Sequence, residues 1–192
     1  MKQMILASAS PRRRELLQGL GVPFEVMSSD IEEKINTELS APEIAKELAY
    51  QKAKDVSNKL DGDYIVIGAD TIVEYNRILG KPKDADEAYQ MLKLLSGKIH
   101  RVITGFAVID CRTKKEIVDF EVTNVYFNHL SDEEINRYIE TKEPMDKAGA
   151  YGIQGKASLF VSKIEGDYFN VVGLPIFKLG VVLRNHFDIN LL

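Results

Sequence analysis

The sequence predicts a protein of the α/β class, in which strands and helices alternate along the chain. Residues 64–67 form an apolar run rich in β-branched side chains, which is typical of a strand buried on both faces. Residues 41–60 and 84–95 instead carry apolar side chains at helical spacing. The 192 residues are 45% hydrophobic and 28% charged, which suits one sizeable globular domain or two small ones that share a core.

The first predicted strand, residues 3–7, leads directly into a predicted helix. Ser10 suits the N-cap, and Pro11 suits the first helical position because its missing N–H would have no partner there. Free N–H groups and the helix dipole favour an anion at this end. Arg12 and Arg13 fall in the first turn, where the dipole repels cations. Solvated surface arginines are one interpretation, but an anion bound between the two guanidinium groups explains their position better.

Asp70 is the residue around which the predicted site is organised. The strand at residues 64–67 is followed by Gly68 and Ala69, and Asp70 comes where we expect the strand to end. A carboxylate beside a core needs a partner or a cation. An isolated Asp usually starts a turn. Here Thr71 begins a new β-branched run at once, which favours a functional site.

Several charged residues lie near this strand in the sequence, and most have an ordinary explanation. Residues 22–28 are a predicted strand, and the acidic segment after it includes Glu33, which is solvated unless it reaches a metal shared with Asp70. Lys52 lies on the predicted helix 41–60, where lysines usually keep the surface soluble. Lys81 is held between Gly80 and Pro82 in a stretch that cannot be helical, so phosphate binding and a plain surface role are about equally supported.

The second half of the chain is predicted to hold a strand pair, a long loop and a final helix. Residues 100–111 and 115–127 are two long strands, and Ser131 with Glu134 forms a capping box for a helix that ends near residue 141. Residues 143–156 are rich in glycine, and Gln154 has room there to pair with a base edge through its amide. Residues 158–164 and 167–172 are predicted to form a hairpin, and Leu174-Pro175 begins the last helix.

Composition and missing motifs exclude several other classes of protein. The net charge of −4 disfavours a nucleic-acid binder. Cys111 is the one cysteine, so no intrachain disulfide forms and a cytoplasmic location is expected. No apolar run approaches the roughly 18 residues of a membrane span. The chain has no Gly-x-x-x-x-Gly-Lys-Ser/Thr loop, no Gly-x-Ser-x-Gly and no His-Glu-x-x-His, which argues against a P-loop NTPase, an α/β-hydrolase and a zinc protease.

Five motifs occur in order along nearly the whole chain, from about Met4 to Phe187. They are Ser8-x-Ser10-Pro11-Arg12-Arg13, Glu33, Gly68-Ala69-Asp70-Thr71, Gly80-Lys81-Pro82 and the ten residues 146–155, DKAGAYGIQG. Together they resemble the Maf family of nucleoside triphosphate pyrophosphatases, first discussed as septum-formation inhibitors. The resemblance implies a single Maf-like domain, 1–192. Its fold would be a long, mixed, twisted central sheet flanked by helices, with two lobes around a cleft, as in the inosine triphosphate pyrophosphatases.

The resemblance also implies a reaction and a role for each motif residue. Water would attack the α-phosphorus of a nucleoside triphosphate and release a monophosphate and pyrophosphate. Asp70 would be the general base, and Glu33 and Asp70 would hold an Mg²⁺ or Mn²⁺ ion that bridges the phosphate oxygens. The residues that bind phosphate would be Ser8, Arg13, Lys52 and Lys81. The residues that select dTTP and UTP, rather than the 7-methyl-GTP of a sister branch, would be Arg12, Thr71 and Gln154.

A different class of function is compatible with the same motifs. A nucleotide-binding regulator of cell division or septum formation would use the same cleft without turnover, although it has no need of Asp70 beside an acidic partner. A nucleic-acid-binding regulator is disfavoured by the acidic balance. The predicted partners are therefore a nucleoside triphosphate, either a normal or a modified pyrimidine, and a second copy of the chain in a homodimer, with no nucleic acid and no membrane.

Overall fold

A computed structural model describes residues 2–192 of the chain. The strands are β1 (Gln3–Leu6), β2 (Phe24–Val26), β3 (Tyr64–Tyr75), β4 (Arg77–Leu79), β5 (Ile99–Asp110), β6 (Glu116–Phe127) and β7 (Val161–Glu165). The helices are α1 (Pro11–Gly19), α2 (Ala41–Asn58), α3 (Ala85–Leu95), α4 (Asp132–Glu140), α5 (Tyr168–Val172) and α6 (Ile176–Phe187). Short 3₁₀ helices occupy Glu143–Asp146, Ala148–Ala150 and Gly155–Leu159.

The strands belong to one mixed sheet, so the predicted α/β class with a long central sheet is confirmed. In the described part of the chain the strand order is β2-β1-β3-β5-β6-β7, with β4 also paired to β3. β1 runs parallel to β2 and to β3, with Gln3 opposite Tyr64 and Leu6 opposite Ile67. β4 runs antiparallel to β3, and β7 runs antiparallel to β6.

The chain divides into two compact units. The first unit comprises the residues through Asp70, Thr104–Glu121 and Gly173–Leu192. The second comprises Thr71–Ile103 and Val122–Val172. β3, β5 and β6 each contribute residues to both units. The prediction that residues 1–192 act as a single domain stays a prediction.

The core of the first unit lies on both faces of its strands. On one face Leu6, Ile67 and Phe106 pack against α1 and α6, through side chains such as Leu17 and Leu183. On the other face the alternate residues of the same strands, among them Ile5, Val66 and Ala107, pack against Ala53 and Val56 of α2. This arrangement confirms the prediction that the run at residues 64–67 is buried on both faces.

Three predictions about the strands were wrong. β3 does not end before Asp70 but continues without a break to Tyr75. Residues 22–28 contain only the three-residue strand Phe24–Val26. Residues 158–164 and 167–172 do not form a hairpin, because the first of these segments begins in a 3₁₀ helix and the second is mostly the short helix α5.

The helix α5 forms where the sequence favours a strand because contacts within the second unit hold its side chains. The Asp167 carboxylate accepts a hydrogen bond from the Phe169 N–H at 2.8 Å and so starts a turn. The buried Asn170 amide donates to the Val102 carbonyl and to the Thr123 hydroxyl, both at 3.0 Å. These partners lie 47 and 68 residues away in sequence, so they override the local preference of the β-branched and aromatic side chains.

One other predicted feature, a capping box, was confirmed. The capping box at the start of α4 is present, with the Ser131 hydroxyl accepting from the Glu134 N–H and the Glu134 carboxylate accepting from the Ser131 N–H. Asn76 has a φ of 57° in the tight turn between β3 and β4. Among residues 2–192, none of the helices combines the length and the hydropathy that crossing a bilayer requires.

Candidate active site

Ser8, in the loop between β1 and α1, contacts Arg13 in the first turn of α1. Ser8 is buried, and its hydroxyl oxygen accepts hydrogen bonds from the Arg13 Nη1 at 3.2 Å and from the Ser10 N–H at 3.3 Å. The Arg13 Nε donates to the Gly173 carbonyl at 2.7 Å. The half-buried guanidinium is therefore fixed in direction from two sides, which suits a group that must meet a phosphate oxygen.

The first turn of α1 has the composition expected of an anion-binding helix end. Ser10 occupies the N-cap position and Pro11 begins the helix, but the Ser10 side chain makes no capping hydrogen bond. The first turn contains no acidic residue and carries Arg12 and Arg13. The placement of both arginines in the first turn is confirmed, whereas the anion between them stays a prediction.

Two glycines let α2 lie directly on the sheet of the first unit. A Cβ atom at Gly68 would lie 2.4 Å from the Ala49 carbonyl oxygen, and one at Gly105 would lie 2.2 Å from the Ala45 carbonyl oxygen. Real Cβ atoms do not approach other atoms this closely. Small residues on both sides therefore bring the helix backbone close to β3. This close packing lets Lys52 of α2 reach Asp70 on β3.

Lys52 joins two carboxylates of the first unit. Its ammonium nitrogen lies 2.5 Å from Asp70 Oδ1 and 2.9 Å from Glu33 Oε1. The Asp70 and Lys52 side chains are 15% and 18% exposed, and that of Glu33 is 42% exposed. The charges of Asp70 and Glu33 also act on the Arg13 guanidinium, whose pKa is lowered by burial and raised by these two carboxylates. Glu33, Lys52 and Asp70 thus form one cluster, whose carboxylate charges also act on Arg13.

Gln51 holds the segment that contains Glu33. The sequence analysis did not predict this role of Gln51. Its Oε1 accepts from the Lys34 N–H at 3.1 Å, and its Nε2 donates to the Lys34 carbonyl at 3.0 Å. The neighbouring Lys52 contacts Glu33, so two successive residues of α2 contact two successive residues of the segment. The amide of a glutamine can satisfy a backbone donor and a backbone acceptor at once. Its position next to Lys52 was the one available signal in the sequence.

The second unit brings together the segments that carry Thr71, Lys81 and Gln154. Gly149 has a φ of 68° and packs on Val73, two residues after Thr71, where an added Cβ would lie 2.9 Å from the valine Cγ1. The Gly149 N–H donates to the Gly80 carbonyl at 3.0 Å, next to the exposed Lys81. Gln154 is half-buried five residues later, just before the last of the 3₁₀ helices.

Comparison with known proteins places this arrangement of residues in a family. A family model described as Maf-like protein matches residues 3–186. The chain belongs to the Maf-like protein family. A dTTP/UTP pyrophosphatase of Alkaliphilus metalliredigens (strain QYMF) is 56% identical over 192 residues, which are 100% of both chains. A dTTP/UTP pyrophosphatase of Thermoanaerobacter sp. (strain X514) is 52% identical over 99% of this chain and 100% of the relative.

A solved structure supports the fold of this Maf-like chain. The Ham1 protein of Staphylococcus aureus superposes with a TM-score of 0.50 at 15% sequence identity, over 83% of this chain and 91% of that protein. At this identity the likeness concerns the fold alone.

The donor set of this Maf-like site fits a hard divalent cation. Among residues 2–192, no three side chains of His, Cys, Asp or Glu form a metal-binding group. Mg²⁺ is usually held by one or two carboxylates while water and substrate phosphates complete its coordination. Glu33 and Asp70 supply such a pair of carboxylates, and both already converge on one positive charge, the Lys52 ammonium. The two residues predicted to hold a metal are therefore placed together.

Proposed function

We propose that the chain hydrolyses dTTP and UTP, or modified pyrimidine triphosphates, to the monophosphate and pyrophosphate. The full-length relatives named dTTP/UTP pyrophosphatase support this substrate class. The observation that carries the proposal is the cluster of Glu33, Lys52 and Asp70 in the first unit, where one lysine joins two carboxylates. The charges of these carboxylates also act on Arg13. A cleavage of a phosphoanhydride needs both a base for water and cations for the phosphates.

In the proposed reaction Asp70 is the general base. Its carboxylate takes a proton from a water molecule as that water attacks the α-phosphorus, and the bond from the α-phosphorus to the bridging oxygen breaks to release pyrophosphate. Such a base contributes roughly 10²–10⁴ in rate. Lys52 fixes the direction of the Asp70 carboxylate through the contact at 2.5 Å. Because that carboxylate is only 15% exposed, few solvent molecules compete for it.

The remaining cations are proposed to hold the phosphates. Arg13 is oriented by the Gly173 carbonyl and the Ser8 hydroxyl, so it would meet a phosphate without first losing side-chain freedom. Ser8, Lys52 and Lys81 are assigned the same role. A bound Mg²⁺ or Mn²⁺ ion, held by Glu33 and Asp70, would neutralise part of the charge of the triphosphate.

Nucleotide selectivity is proposed to depend on Arg12, Thr71 and Gln154. The resemblance to the dTTP/UTP branch supports these three roles, and the amide of Gln154 matches them chemically because it offers a donor and an acceptor to a base edge. Two further proposals are independent of the site. A cytoplasmic location would be tested by fractionation of cells, and a homodimer by light scattering on the purified protein.

The decisive experiment measures pyrophosphate release from a panel of nucleoside triphosphates with Mg²⁺ or Mn²⁺. Wild type is compared with Asp70→Asn, and Glu116→Gln is the matched control because Glu116 also contacts a lysine of α2, Lys54, at 2.5 Å. We expect turnover of dTTP and UTP to fall by at least about a hundredfold in Asp70→Asn and to stay within about twofold in Glu116→Gln.

The opposite result would favour the other class of function. Nucleotide binding without pyrophosphate release by the wild type would point to a regulator of cell division that needs no turnover. Equal rates for wild type and Asp70→Asn would instead remove Asp70 from the role of base.

A further inference from the structure

His100 and Tyr151 form a buried polar pair in the second unit that the proposed reaction does not use. His100 Nε2 lies 2.6 Å from the Tyr151 hydroxyl oxygen, and the two side chains come from residues 51 positions apart. His100 is 1% exposed and Tyr151 is 5% exposed. The other ring nitrogen, His100 Nδ1, has no hydrogen-bond partner among residues 2–192.

Burial of this pair lowers the stability of the fold, so packing alone does not explain it. Burial lowers the pKa of His100 to about 4, so the imidazole is neutral near pH 7, and one of its nitrogens is a donor while the other is an acceptor. Nδ1 remains unpaired in either tautomer, and a buried unpaired polar atom destabilises the folded state. An apolar residue would fill the same space without that cost. A histidine here is better explained by the one thing it adds, a directed hydrogen bond to Tyr151.

That hydrogen bond acts on the loop that carries Gln154. Phe127 holds the Tyr151 ring edge to face at a centroid distance of 4.7 Å, and the His100 ring contacts Phe127 in the same way at 4.9 Å. This edge-to-face packing therefore orients the Tyr151 ring, whereas the His100 contact fixes the position of its hydroxyl and so the depth of the ring. Gly152 and Ile153 separate Tyr151 from Gln154, and Ile153 is itself buried.

Two other attachments of this loop are a backbone hydrogen bond before Tyr151 and a packing contact just after it. The Gly149 N–H donates to the Gly80 carbonyl at 3.0 Å. The aliphatic chain of Lys147 fills the space beside Gly152, where an added Cβ would lie 2.8 Å from the lysine Cε. Tyr151 is therefore the hydrogen-bonded side-chain anchor nearest to Gln154 on its N-terminal side, and a shift of this anchor would be passed to Gln154 through two residues.

We infer that His100 is a positioning residue for nucleotide selectivity, because its hydrogen bond to Tyr151 fixes the loop that presents Gln154. This inference rests on the proposed function and on the base-reading role of Gln154. His100 itself touches no substrate. Its removal changes the discrimination between bases and leaves the chemical step at Asp70 intact.

The test compares kcat/KM for dTTP and for dCTP, two nucleotides that differ at the base edge. The variants are Tyr151→Phe, which keeps the ring and removes the hydroxyl, and His100→Leu. The control is Tyr126→Phe, because the Tyr126 hydroxyl donates to Glu165 in the same unit at 2.7 Å but lies on the surface. We expect the dTTP preference to fall about 3- to 10-fold in both test variants, the range of one hydrogen bond. The change should lie in KM rather than in kcat, and Tyr126→Phe should match the wild type.

A rescue variant separates positioning from stability. A glutamine amide places a polar atom near the position of the histidine Nε2, so His100→Gln should recover most of the dTTP preference that His100→Leu loses. Unchanged preference in an active Tyr151→Phe, even with a lowered melting temperature, overturns the inference and leaves the proposed function standing. Absence of pyrophosphate release by the wild type overturns the proposed function, and the inference with it.

Discussion

Substitution of Gly68 by alanine should separate α2 from β3 and so test how the site is assembled. The new Cβ would lie 2.4 Å from the Ala49 carbonyl oxygen and 2.8 Å from both the Ala53 nitrogen and its Cβ. Two of these three atoms belong to the helix backbone, which cannot rotate away, so α2 itself must shift. Overpacking of this kind costs about 1–3 kcal/mol of stability. A displacement of about 1 Å can reduce catalysis by about 10²-fold. We therefore expect kcat/KM to fall by about 10- to 100-fold.

Two measurements and one control variant check this prediction. Urea unfolding gives the free energy of unfolding, and pyrophosphate release from dTTP gives kcat/KM. Gly19→Ala is the control, because a Cβ at Gly19 meets nothing within 4 Å. It should retain both stability and activity. A Gly68→Ala protein with wild-type unfolding and wild-type kcat/KM would refute the conclusion that this glycine sets the distance between Lys52 and Asp70.

Three other substitutions probe separate parts of the site. Gln51→Ala removes both hydrogen bonds to the Lys34 backbone, so the Mg²⁺ concentration for half-maximal rate should rise about 3- to 10-fold. The rate at saturating Mg²⁺ should barely change, and an unaltered metal titration would count against the role of Gln51. Burial lowers the pKa of His100 from 6.5 to about 4. Between these two pH values the unfolded chain therefore binds a proton at His100 more readily than the folded chain does. The wild type should therefore lose stability as the pH falls through this window, by about 2 kcal/mol at pH 5 relative to pH 7. In urea unfolding at both pH values His100→Gln should lack this loss, and equal losses would contradict the burial argument. Gln154→Ala should broaden the nucleotide preference more than it lowers the best rate, and an unchanged selectivity profile would remove Gln154 from base reading.

Much of the fold followed from local patterns in the sequence. Helical periodicity located α2 and α3, and the capping box of Ser131 and Glu134 located the start of α4. These signals are local because a helix satisfies most of its hydrogen bonds within a few residues. The strand Tyr64–Tyr75 was predicted as two β-branched runs interrupted at Asp70. Gly68 and Ala69 indicated the end of a strand, whereas Gly68 makes room for α2, which packs across the strand.

The sequence predicted which residues belong to the candidate site, and these assignments stay predictions. It did not predict the residues that support them. In the first unit Arg13 contacts Ser8, and Lys52 contacts both Glu33 and Asp70. In the second unit the segments of Thr71, Lys81 and Gln154 meet. The supporting residues were missed because their partners are distant along the chain. Gln51 contacts the backbone 17 residues away, and His100 contacts a tyrosine 51 residues away. A lone glutamine on a helix or a lone histidine in a strand carries no local sign of such a contact.

The parallel pairing of β1 with β3 has a consequence for how the protein folds. Gln3 lies opposite Tyr64, so the connection that includes α2 must close before the two strands meet. Loop closure over this separation and pairing of distant strands are slow steps compared with helix formation. Ser8 follows one of these strands, Lys52 lies on the connection and Asp70 lies on the other strand. Recovery of pyrophosphate release after dilution from urea should therefore lag behind the recovery of helical circular dichroism, because partly folded chains contain helices before they contain the site.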